Sequence, residues 1–269
     1  MQDNPKNTVQ SVAKAFAVLK AFDATLPELT LTEISEKAGL DRGTSFRLAN
    51  TLCQLGYLTK ISRTRRFRLT LKCLELGFSA LAQSDLKMLA RPLLKEMVPD
   101  IADAASLGML DNTEIVYIER AQGDLPKLNL DRRTGSRTSA YSAALGHAIL
   151  AWKPVALQRE ILERSHRIKV SEKTLTEIEP LMERLAQVRA RGYAISDGEN
   201  AYGLRTVAAP IFDDAREVVA GISLTIHADR MPLEDFLKRA APESLRIANE
   251  LSRALELSFG SIATSRKHI

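Results

Sequence analysis

Residues 30–56 carry the pattern that most constrains the fold of this chain. Thr30 and Glu33 have the spacing of a capping box, which predicts that a helix starts there. Gly39 ends this helix as a C-terminal glycine, and Asp41 is a suitable N-cap for a second helix. Two helices joined by a short turn that contains glycine form a helix-turn-helix. The sequence therefore predicts this motif near the N-terminus.

The second helix of the motif has two chemically different faces. A helical wheel predicts that the core-facing side consists of Thr44, Leu48, Leu52 and Leu55. The opposite side begins at the helix N-terminus, which is the end that contacts base edges in this motif. Arginine can bond a guanine edge and asparagine an adenine edge. The candidate DNA-binding residues of this helix are Arg42, Gly43, Phe46 and Asn50, with Ser45 and Arg47 on the flanks.

Phe46 is the unusual member of this outer face, and it has two interpretations. An exposed phenylalanine lowers solubility unless it serves a purpose, and contact with a thymine methyl group would be such a purpose. Alternatively, Phe46 packs on a neighbouring subunit or on the first helix of the domain.

A two-stranded wing is predicted directly after the second helix. Tyr57–Ile61 and Arg66–Leu69 alternate apolar and polar residues, and Ser62–Arg65 makes the turn between them. Six basic residues and no acidic one lie within Leu58–Lys72. Such a charge run is often only a solvated face, but here it would lie at the wing tip beside a helix-turn-helix. The candidate contacts to phosphate or to the minor groove are Arg63, Arg65 and Arg66.

Charge and composition support a globular protein with a basic N-terminal part. The chain has 269 residues and a net charge of +5, with 45% hydrophobic and 26% charged residues, which excludes bulk disorder. The first 85 residues carry a net charge of +4 and the remaining 184 a net charge of +1. There is neither an apolar run of about 20 residues nor a signal peptide, so a cytoplasmic protein is expected.

Three regions are predicted along the chain, and together they define an α+β fold class. A winged helix-turn-helix domain spans 8–70, and a linker helix spans 71–85. The linker has an apolar stripe that suits pairing with its copy in a dimer: Leu71, Leu74, Phe78 and Leu81. Residues 86–260 alternate helix-like and strand-like segments, including short strands at 104–110, 115–120 and 127–130. This pattern is typical of a sensor-like effector-binding domain.

Motifs for catalysis, cofactors and metals are missing from the sequence. It has no GxxxxGK[ST], no GxGxxG after a strand, no HExxH and no GxSxG. The four histidines have no ligand spacing, and two cysteines cannot form a cysteine-based zinc site. We therefore expect no catalytic residues, no metal, no cofactor and no enzymatic activity.

A ligand site is predicted where Gly135–Ser142 leads into a helix rich in small residues. A helix N-terminus offers free N–H groups and a partial positive charge, which suit a carboxylate. The small residues Ala143, Ala144 and Gly146 would let a ligand approach the backbone closely. The last strand places three polar residues on one face: Ser223, Thr225 and His227. The alternative is that these polar groups merely face solvent.

Four ordered motifs resemble the IclR family of bacterial transcriptional regulators: SVAKAFAVLKAF, LTEISEKAGLDRGTSFRLANTLCQLGYL, GSRTSAYSAALGHAILA and GYAISDGENAYGLRTVAAPIFDDAREVVAGISLTI. The resemblance extends from about Thr8 to Phe259. It implies an N-terminal winged helix-turn-helix and a C-terminal GAF-like effector domain. It also implies a double-stranded DNA operator, a small carboxylic acid effector, and a homodimer or homotetramer as partners. RNA polymerase is a further partner to consider, whereas no membrane contact is expected.

The resemblance also implies a set of effector contacts. Carried onto this chain, the family's contact positions are Ala144, Leu145, Ser196, Thr206, Ser223 and Thr225, and Ser142 adjoins them. For an aromatic acid, Tyr141 would offer a ring for stacking and Arg120 a charge for the carboxylate. Many members have proline where this chain has Ser139, and lysine or arginine where it has His147. The DRRTGSR stretch from Asp131 is also unusually basic. These departures are expected to touch the rim of the pocket.

Two segments indicate a branch of the family. Phe16–Phe22 and Leu69–Phe78 look closer to regulators of protocatechuate, p-hydroxybenzoate and β-ketoadipate catabolism. The sequence therefore favours an aromatic acid as effector and a catabolic operon as target. A regulator of short keto-acid metabolism, a DNA-binding protein without a ligand and an enzyme built on the C-terminal domain remain as alternatives.

Overall fold

A computed structural model describes residues 9–23, 25–62, 64–75, 85–123 and 132–265, with side chains as far as residue 256. The chain divides into two compact units, Met1–Gln83 and Ser84–Ile269. Within the described ranges, no helix is long and apolar enough to cross a membrane.

The first unit is a winged helix-turn-helix. Its elements are α1 Gln10–Lys20, β1 Glu28–Thr30, α2 Leu31–Ala38, α3 Arg42–Gln54, β2 Leu58–Lys60 and β3 Arg66–Leu69. The strands form an antiparallel sheet in the order β1–β3–β2. The predicted pair β2 and β3 is present, and β1 adds a third strand that the alternation pattern did not reveal. A strand of three residues is too short to show a periodicity of its own.

Side-chain caps fix the ends of α2 and α3. The Thr30 Oγ1 accepts the backbone N–H of Glu33 at 3.3 Å, and the Glu33 Oε2 accepts the N–H of Thr30 at 2.7 Å. This is the reciprocal capping box that the sequence predicts. Gly39 ends α2 with φ 63°, a left-handed conformation that favours glycine. Asp41 then caps α3, because its Oδ1 accepts the N–H of Thr44 at 2.8 Å.

The core-facing side of α3 differs from the predicted side. Ser45, Ala49 and Leu52 are the buried residues of this helix. Leu55, which the wheel placed in the core, is 53% exposed, and Thr44 is only half-buried. The prediction of the core face was therefore wrong by about one position. Small residues occupy the true inner face because α1 and α2 both pack closely against it.

The second unit is built on a six-stranded antiparallel sheet in the order β6–β5–β4–β9–β8–β7. Its elements are α4 Asp85–Glu96, β4 Ala104–Asp111, β5 Glu114–Gln122, β6 Arg137–Ser139, α5 Ala144–Leu150, α6 Val155–Arg164, α7 Ile178–Arg191, β7 Ala194–Asp197, β8 Leu204–Phe212, β9 Val218–His227 and α8 Leu233–Ser265. The predicted strand at 127–130 and most of the predicted linker helix lie outside the described residues. Helix α8 runs on through Pro242.

Helices cover both faces of this sheet. Helix α5 packs across β8, β9 and β7 on one face, and α7 packs on α5. On the other face, α4 and α8 pack against each other and against the sheet. The two neighbours Glu119 and Arg120 of β5 show this division, because Glu119 faces Lys87 of α4 while Arg120 lies on the α5 side. The predicted fold class, a winged helix-turn-helix followed by an α+β domain, is confirmed.

Candidate functional site

The outer face of α3 presents polar and aromatic side chains to solvent. Arg42, Phe46 and Asn50 follow each other at steps of four residues and therefore lie along one side of the helix. All three are exposed, as are Gly43 and Arg47, and Phe46 exposes 51% of its surface. Within the first unit Phe46 is thus not covered by α1. The stripe starts at the N-terminus of α3, where base contacts occur in this motif.

Ser45 does not belong to this exposed face. It is completely buried, and its hydroxyl is a buried group for which the described residues provide no hydrogen-bond partner. Its predicted role in DNA binding is therefore wrong, because the side chain points into the core that α3 shares with α1 and α2. The error follows directly from the one-position rotation of the helical wheel.

The basic residues of the wing differ in their surroundings. Arg65 is exposed immediately before β3. Arg66 instead turns back towards the body of the unit, where its Nη1 donates to the Glu28 carbonyl at 3.0 Å and lies 3.3 Å from the Glu33 Oε2. Arg63 lies outside the described residues. Arg66 therefore ties β3 to β1 and α2 in this structure, although its guanidinium remains partly exposed.

A polar cavity lies in the second unit between the sheet and the start of α5. Its cavity volume is about 20 Å³, within about 400 Å³ of empty space that includes open solvent. Seven of the nine residues predicted to contact an effector line this cavity: Arg120, Ala144, Leu145, Ser196, Thr206, Ser223 and Thr225. Ala143, expected to let a ligand approach the backbone, and Arg132, from the basic stretch expected at the rim, also line the cavity. Four further lining residues were not predicted: Tyr117, Asn200, Ala201 and Leu204.

Hydroxyl groups form the floor of the cavity along two neighbouring rungs of the sheet. In one rung, Ser106 of β4 pairs with Arg120 of β5 and with Ser223 of β9. In the next, Thr206 of β8 pairs with Thr225 of β9 and with Ser196 of β7. Adjacent strands lie about 4.8 Å apart, so each rung carries its polar groups across several strands on one face.

A β-bulge brings Tyr117 and Arg120 to the same cavity. Residues three apart in a regular strand point to opposite faces. Between the pairs Leu107–Glu119 and Gly108–Tyr117 the register shifts, and Ile118 has no partner on β4. This extra residue reverses the alternation, so both side chains reach the α5 side. The sequence does not reveal that Tyr117 lines the cavity, because strand alternation alone places its side chain on the other face of the sheet.

Two arginines make one end of the cavity cationic. The Arg120 Nη1 donates to the Ser106 Oγ at 2.8 Å, and its Nε donates to the Gln122 Oε1 at 3.2 Å. Arg132 lies over the Tyr117 ring, 5.6 Å from its centroid. Burial, with a smaller contribution from the charge of Arg132, lowers the pKa of Arg120 from its usual range. The site thus favours an anion at this end.

The roof of the cavity is held by Asn200, which lies in the β7–β8 connection. Its Oδ1 accepts hydrogen bonds from the Ser142 hydroxyl at 3.2 Å and the Thr138 hydroxyl at 3.4 Å. Ser142 is buried and is not part of the cavity lining. Its predicted contact with an effector is therefore replaced by an indirect role, in which it positions Asn200. The amide nitrogen of Asn200 remains as a donor on this wall.

Tyr141 lies on the other side of α5 from the cavity. It is 1% exposed and belongs to the core formed by α5, α6 and α7. Its hydroxyl donates to the Ile168 carbonyl at 2.6 Å and accepts the Ile168 N–H at 2.9 Å. The predicted stacking of an effector on Tyr141 is wrong, because the turn before α5 directs this ring into the core. Tyr117 is the aromatic residue of the cavity.

The residues that follow in α5 also serve packing. A Cβ at Gly146 would lie 2.0 Å from the carbonyl oxygen of Ala140, so glycine is needed for the backbone approach within the protein. The expectation that Gly146 makes room for a ligand was wrong. His147 is buried, with its Nε2 2.5 Å from the Tyr141 carbonyl oxygen, and burial lowers its pKa. It is a neutral core residue and not part of a pocket rim.

The two units define a class of protein: a DNA-binding regulator with a separate ligand-binding domain. Among the described residues, no cluster of three or more histidine, cysteine, aspartate or glutamate side chains could hold a metal ion. The family model for the IclR helix-turn-helix domain matches residues 11–62. The model for the bacterial transcriptional regulator IclR C-terminal region matches residues 78–253. The chain belongs to the IclR family of bacterial transcriptional regulators.

Relatives of known name match along nearly the whole chain. The HTH-type transcriptional regulator XynR of Escherichia coli (strain K12) is 33% identical over 250 residues, covering 92% of this chain and 97% of XynR. The Pca regulon regulatory protein of Pseudomonas putida is 31% identical over 245 residues, covering 91% and 84%. A solved transcriptional regulator from Rhodococcus sp. RHA1 superimposes with a TM-score of 0.82 at 30% identity, covering 93% and 100%.

These similarities establish the family and leave the branch open. XynR and the Pca regulator are about equally similar to this chain, so identity does not single out the aromatic-acid branch. The relatives are transcriptional regulators and not enzymes. Membership of the family implies that operator DNA and a small-molecule effector are partners of this chain.

Proposed function

We propose that this chain regulates a catabolic operon and that a small carboxylic acid, bound in the cavity of the second unit, changes its affinity for the operator. The observation that carries the proposal is Arg120. Its guanidinium lies in a polar cavity and, in the part of the chain that the structure describes, is held only by neutral acceptors. A partly buried cation without a carboxylate partner is costly, and a bound carboxylate would offset that cost.

An aromatic acid is the effector class that we favour. Tyr117 contributes a ring to the cavity wall, and Leu145 and Leu204 contribute apolar surface that a flat ring could cover. The hydroxyls of Ser196 and Thr206 lie at the end of a rung away from Arg120, where they could bond a ring hydroxyl. The relative named for the Pca regulon supports this class, whereas short keto acids would leave the apolar wall unused.

Operator binding is assigned to the exposed face of α3 and to the wing. Arg42, Phe46, Arg47 and Asn50 are exposed there, and Arg65 would contact phosphate. One winged helix makes few base contacts, so we propose a homodimer that reads two half-sites, with a tetramer as the larger assembly. Contact with RNA polymerase would convert operator binding into control of transcription.

The effect of the ligand on DNA binding is a coupling between two sites. The effector can shift operator affinity only if it binds one arrangement of the oligomer more tightly than the other. A coupling free energy of about 1–3 kcal/mol would change operator affinity about 5- to 150-fold.

A thermal-shift screen of the full chain tests the ligand part of this proposal. The panel contains protocatechuate, p-hydroxybenzoate, other benzoates, phenylacetate, glyoxylate and pyruvate. A ligand at 100 times its Kd adds about 2.7 kcal/mol to the free energy of unfolding, which raises Tm by a few degrees. Stabilisation by aromatic acids, lost in Arg120→Gln, is the expected result. Stabilisation by short keto acids alone would overturn the aromatic class.

Binding to DNA needs its own measurement. Operator sequences can be selected from random duplexes with the full chain and then titrated with and without the stabilising acid. We expect the acid to shift the operator Kd within the range given above. If no acid stabilises the chain but a specific duplex is still selected, the alternative of a DNA-binding protein without a ligand replaces this proposal.

A further inference from the structure

The cationic end of the cavity contains two guanidinium groups, not one. Arg120 reaches it from β5, and Arg132 reaches it from the segment before β6. Arg120 was predicted as the charge for a carboxylate, whereas Arg132 was expected only as part of a basic stretch at the pocket rim. The Arg132 guanidinium lies over the ring of Tyr117. Tyr117 and Arg120 are both on β5, with the bulge between them.

Among the residues that the structure describes, no acidic side chain balances these two charges. The described residues that line the cavity include no aspartate and no glutamate. Arg120 has neutral oxygen partners, the Ser106 hydroxyl and the Gln122 amide, and Arg132 has the face of an aromatic ring. Glu119, the carboxylate next to Arg120 in sequence, faces Lys87 on the other side of the sheet. The two cations therefore repel each other in the ligand-free site.

We infer that the effector of this cavity is a dianion whose two negative charges are shared between Arg120 and Arg132. This inference rests on the proposed function, because it names the ligand class of the same cavity. A monoanion can neutralise only one of the two guanidinium groups and leaves the other as a partly desolvated charge. A ligand with two acidic groups, or with one doubly charged group, removes the repulsion between them.

The rest of the cavity limits the other end of such a ligand. Beyond the arginines the floor continues as the hydroxyls of Ser223, Thr225 and Thr206, with the Asn200 amide above. The Thr206 and Thr225 hydroxyl oxygens are 3.0 Å apart and bond each other. Neutral donors and acceptors of this kind suit hydroxyl or carbonyl groups of the ligand but do not supply a third charge. The acidic groups should therefore lie together at the arginine end.

Two sources of this chemistry are available: a dicarboxylate, including a benzene dicarboxylate, and a phosphate monoester. Arginine guanidinium groups bind both kinds of anion with N–H···O bonds, so either source suits two arginines. Matched probes that keep the carbon skeleton and change only the charge distinguish them. The pairs are phthalate with benzoate, succinate with butyrate, and glycerol 3-phosphate with glycerate.

Calorimetric titration of the full chain with these three pairs tests the inference. In at least one pair we expect the dianion to bind about tenfold more tightly than its monoanionic partner. The first two pairs report on dicarboxylates and the third on phosphate monoesters. The same titrations are repeated with Arg132→Gln, with Arg120→Gln and with Arg253→Gln, an exposed arginine of α8 that serves as the control.

The variants distinguish charge recognition from general effects. Arg132→Gln should reduce the preference for the dianion to about twofold or less while the monoanion keeps its Kd. Arg253→Gln should bind both probes as the wild-type chain does. Thermal unfolding without ligand shows whether each variant is folded. A conservative Arg132→Lys variant, which keeps the charge, should retain most of the preference.

Each other outcome has a defined meaning. Equal binding of both members of every pair by the wild-type chain overturns the dianion inference and leaves the proposed function standing. A dianion preference that Arg132→Gln does not change overturns the role of Arg132. If neither these probes nor the acids of the screen bind, both the inference and the ligand part of the proposed function are wrong.

Discussion

Arg120 and Ser106 lie directly opposite each other on β5 and β4, and the Arg120 Nη1 donates to the Ser106 Oγ at 2.8 Å. Cross-strand pairing therefore orients the cation that we assign to the effector. A hydroxyl can accept this bond without neutralising the charge, which leaves the guanidinium able to bind an anion. An acidic residue at position 106 would instead close the site with an internal ion pair.

Removal of this hydroxyl should weaken effector binding without destroying the site. In Ser106→Ala the guanidinium keeps its bond to the Gln122 Oε1 but loses the partner that fixes its direction. A hydrogen bond to a charged group contributes about 1.5–3 kcal/mol, part of which Arg120 regains from water. We expect the Kd of the acid found in the screen to rise about 3- to 30-fold, as measured by calorimetry. An unchanged Kd would show that Ser106 does not position Arg120.

Tyr141 and Tyr117 should respond differently to loss of their hydroxyls. Tyr141→Phe removes both hydrogen bonds between the Tyr141 hydroxyl and the backbone of Ile168, a residue that is itself exposed. We expect the free energy of unfolding in urea to fall by about 1–3 kcal/mol, while the effector Kd stays the same. Tyr117→Phe is the comparison, because its ring lines the cavity. A change in effector Kd in Tyr141→Phe would return Tyr141 to the site.

Much of the fold follows from local signals that are strong because each has a short-range physical cause. The Thr30–Glu33 capping box, Gly39 and Asp41 are satisfied by backbone groups within a few residues, so the sequence alone locates α2 and the start of α3. The direction of the side chains around α3 did not follow from such a local signal. Small residues such as Ser45 and Ala49 carry little hydrophobic signal, although close helix packing places them inside.

The cavity shows the same limit at longer range. Ser223 and Thr225 could be predicted as lining residues because strand alternation and the family resemblance agree on them, and Thr206 and Ser196 follow from the resemblance alone. Tyr117 could not, since its direction depends on a bulge that is defined by the pairing of β4 with β5. Asn200 and Arg132 lie in irregular segments, and their approach to the cavity depends on how loops fold over the sheet.

Ser45 provides a direct test of the corrected face of α3. Its buried hydroxyl lacks a partner among the described residues, and an unsatisfied buried hydroxyl costs about 1–3 kcal/mol. Ser45→Ala should therefore raise the free energy of unfolding by up to about 1 kcal/mol, because lost packing offsets the remainder of the gain. Operator affinity should stay unchanged. Asn50→Ala is the contrasting variant, expected to lose about 1–3 kcal/mol of operator binding. A stability loss in Ser45→Ala would indicate a hidden partner.

Glu33 should make the stability of the first unit depend on pH. In the folded state, the hydrogen bonds to Thr30 and the nearby charges of Arg66 and Lys37 lower the pKa of Glu33 below its usual value of 4.5. A carboxyl group whose pKa is lower in the folded than in the unfolded state stabilises the fold at pH values above its unfolded-state pKa. This contribution to the free energy of unfolding is lost as the pH falls through the folded-state pKa. Glu33→Gln keeps a capping side chain but has no charge. Between pH 5 and pH 3, we expect the Tm of Glu33→Gln, measured by calorimetry, to fall less than the Tm of the wild-type chain. Identical pH profiles of Tm would contradict the role of the Glu33 charge.

Arg65 and Arg66 are neighbours in sequence, yet they should produce opposite phenotypes. Arg65 is exposed, so Arg65→Ala should weaken binding to all duplexes alike and reduce the slope of log K against log salt by about 1. Arg66 instead bonds Glu28 and Glu33, so Arg66→Gln should lower the stability of the first unit and reduce the salt slope less. Operator titrations at several salt concentrations, together with thermal unfolding, separate the two effects. If Arg66→Gln reduced the salt slope as much as Arg65→Ala and left Tm unchanged, Arg66 would be a phosphate contact and not a brace between β3 and α2.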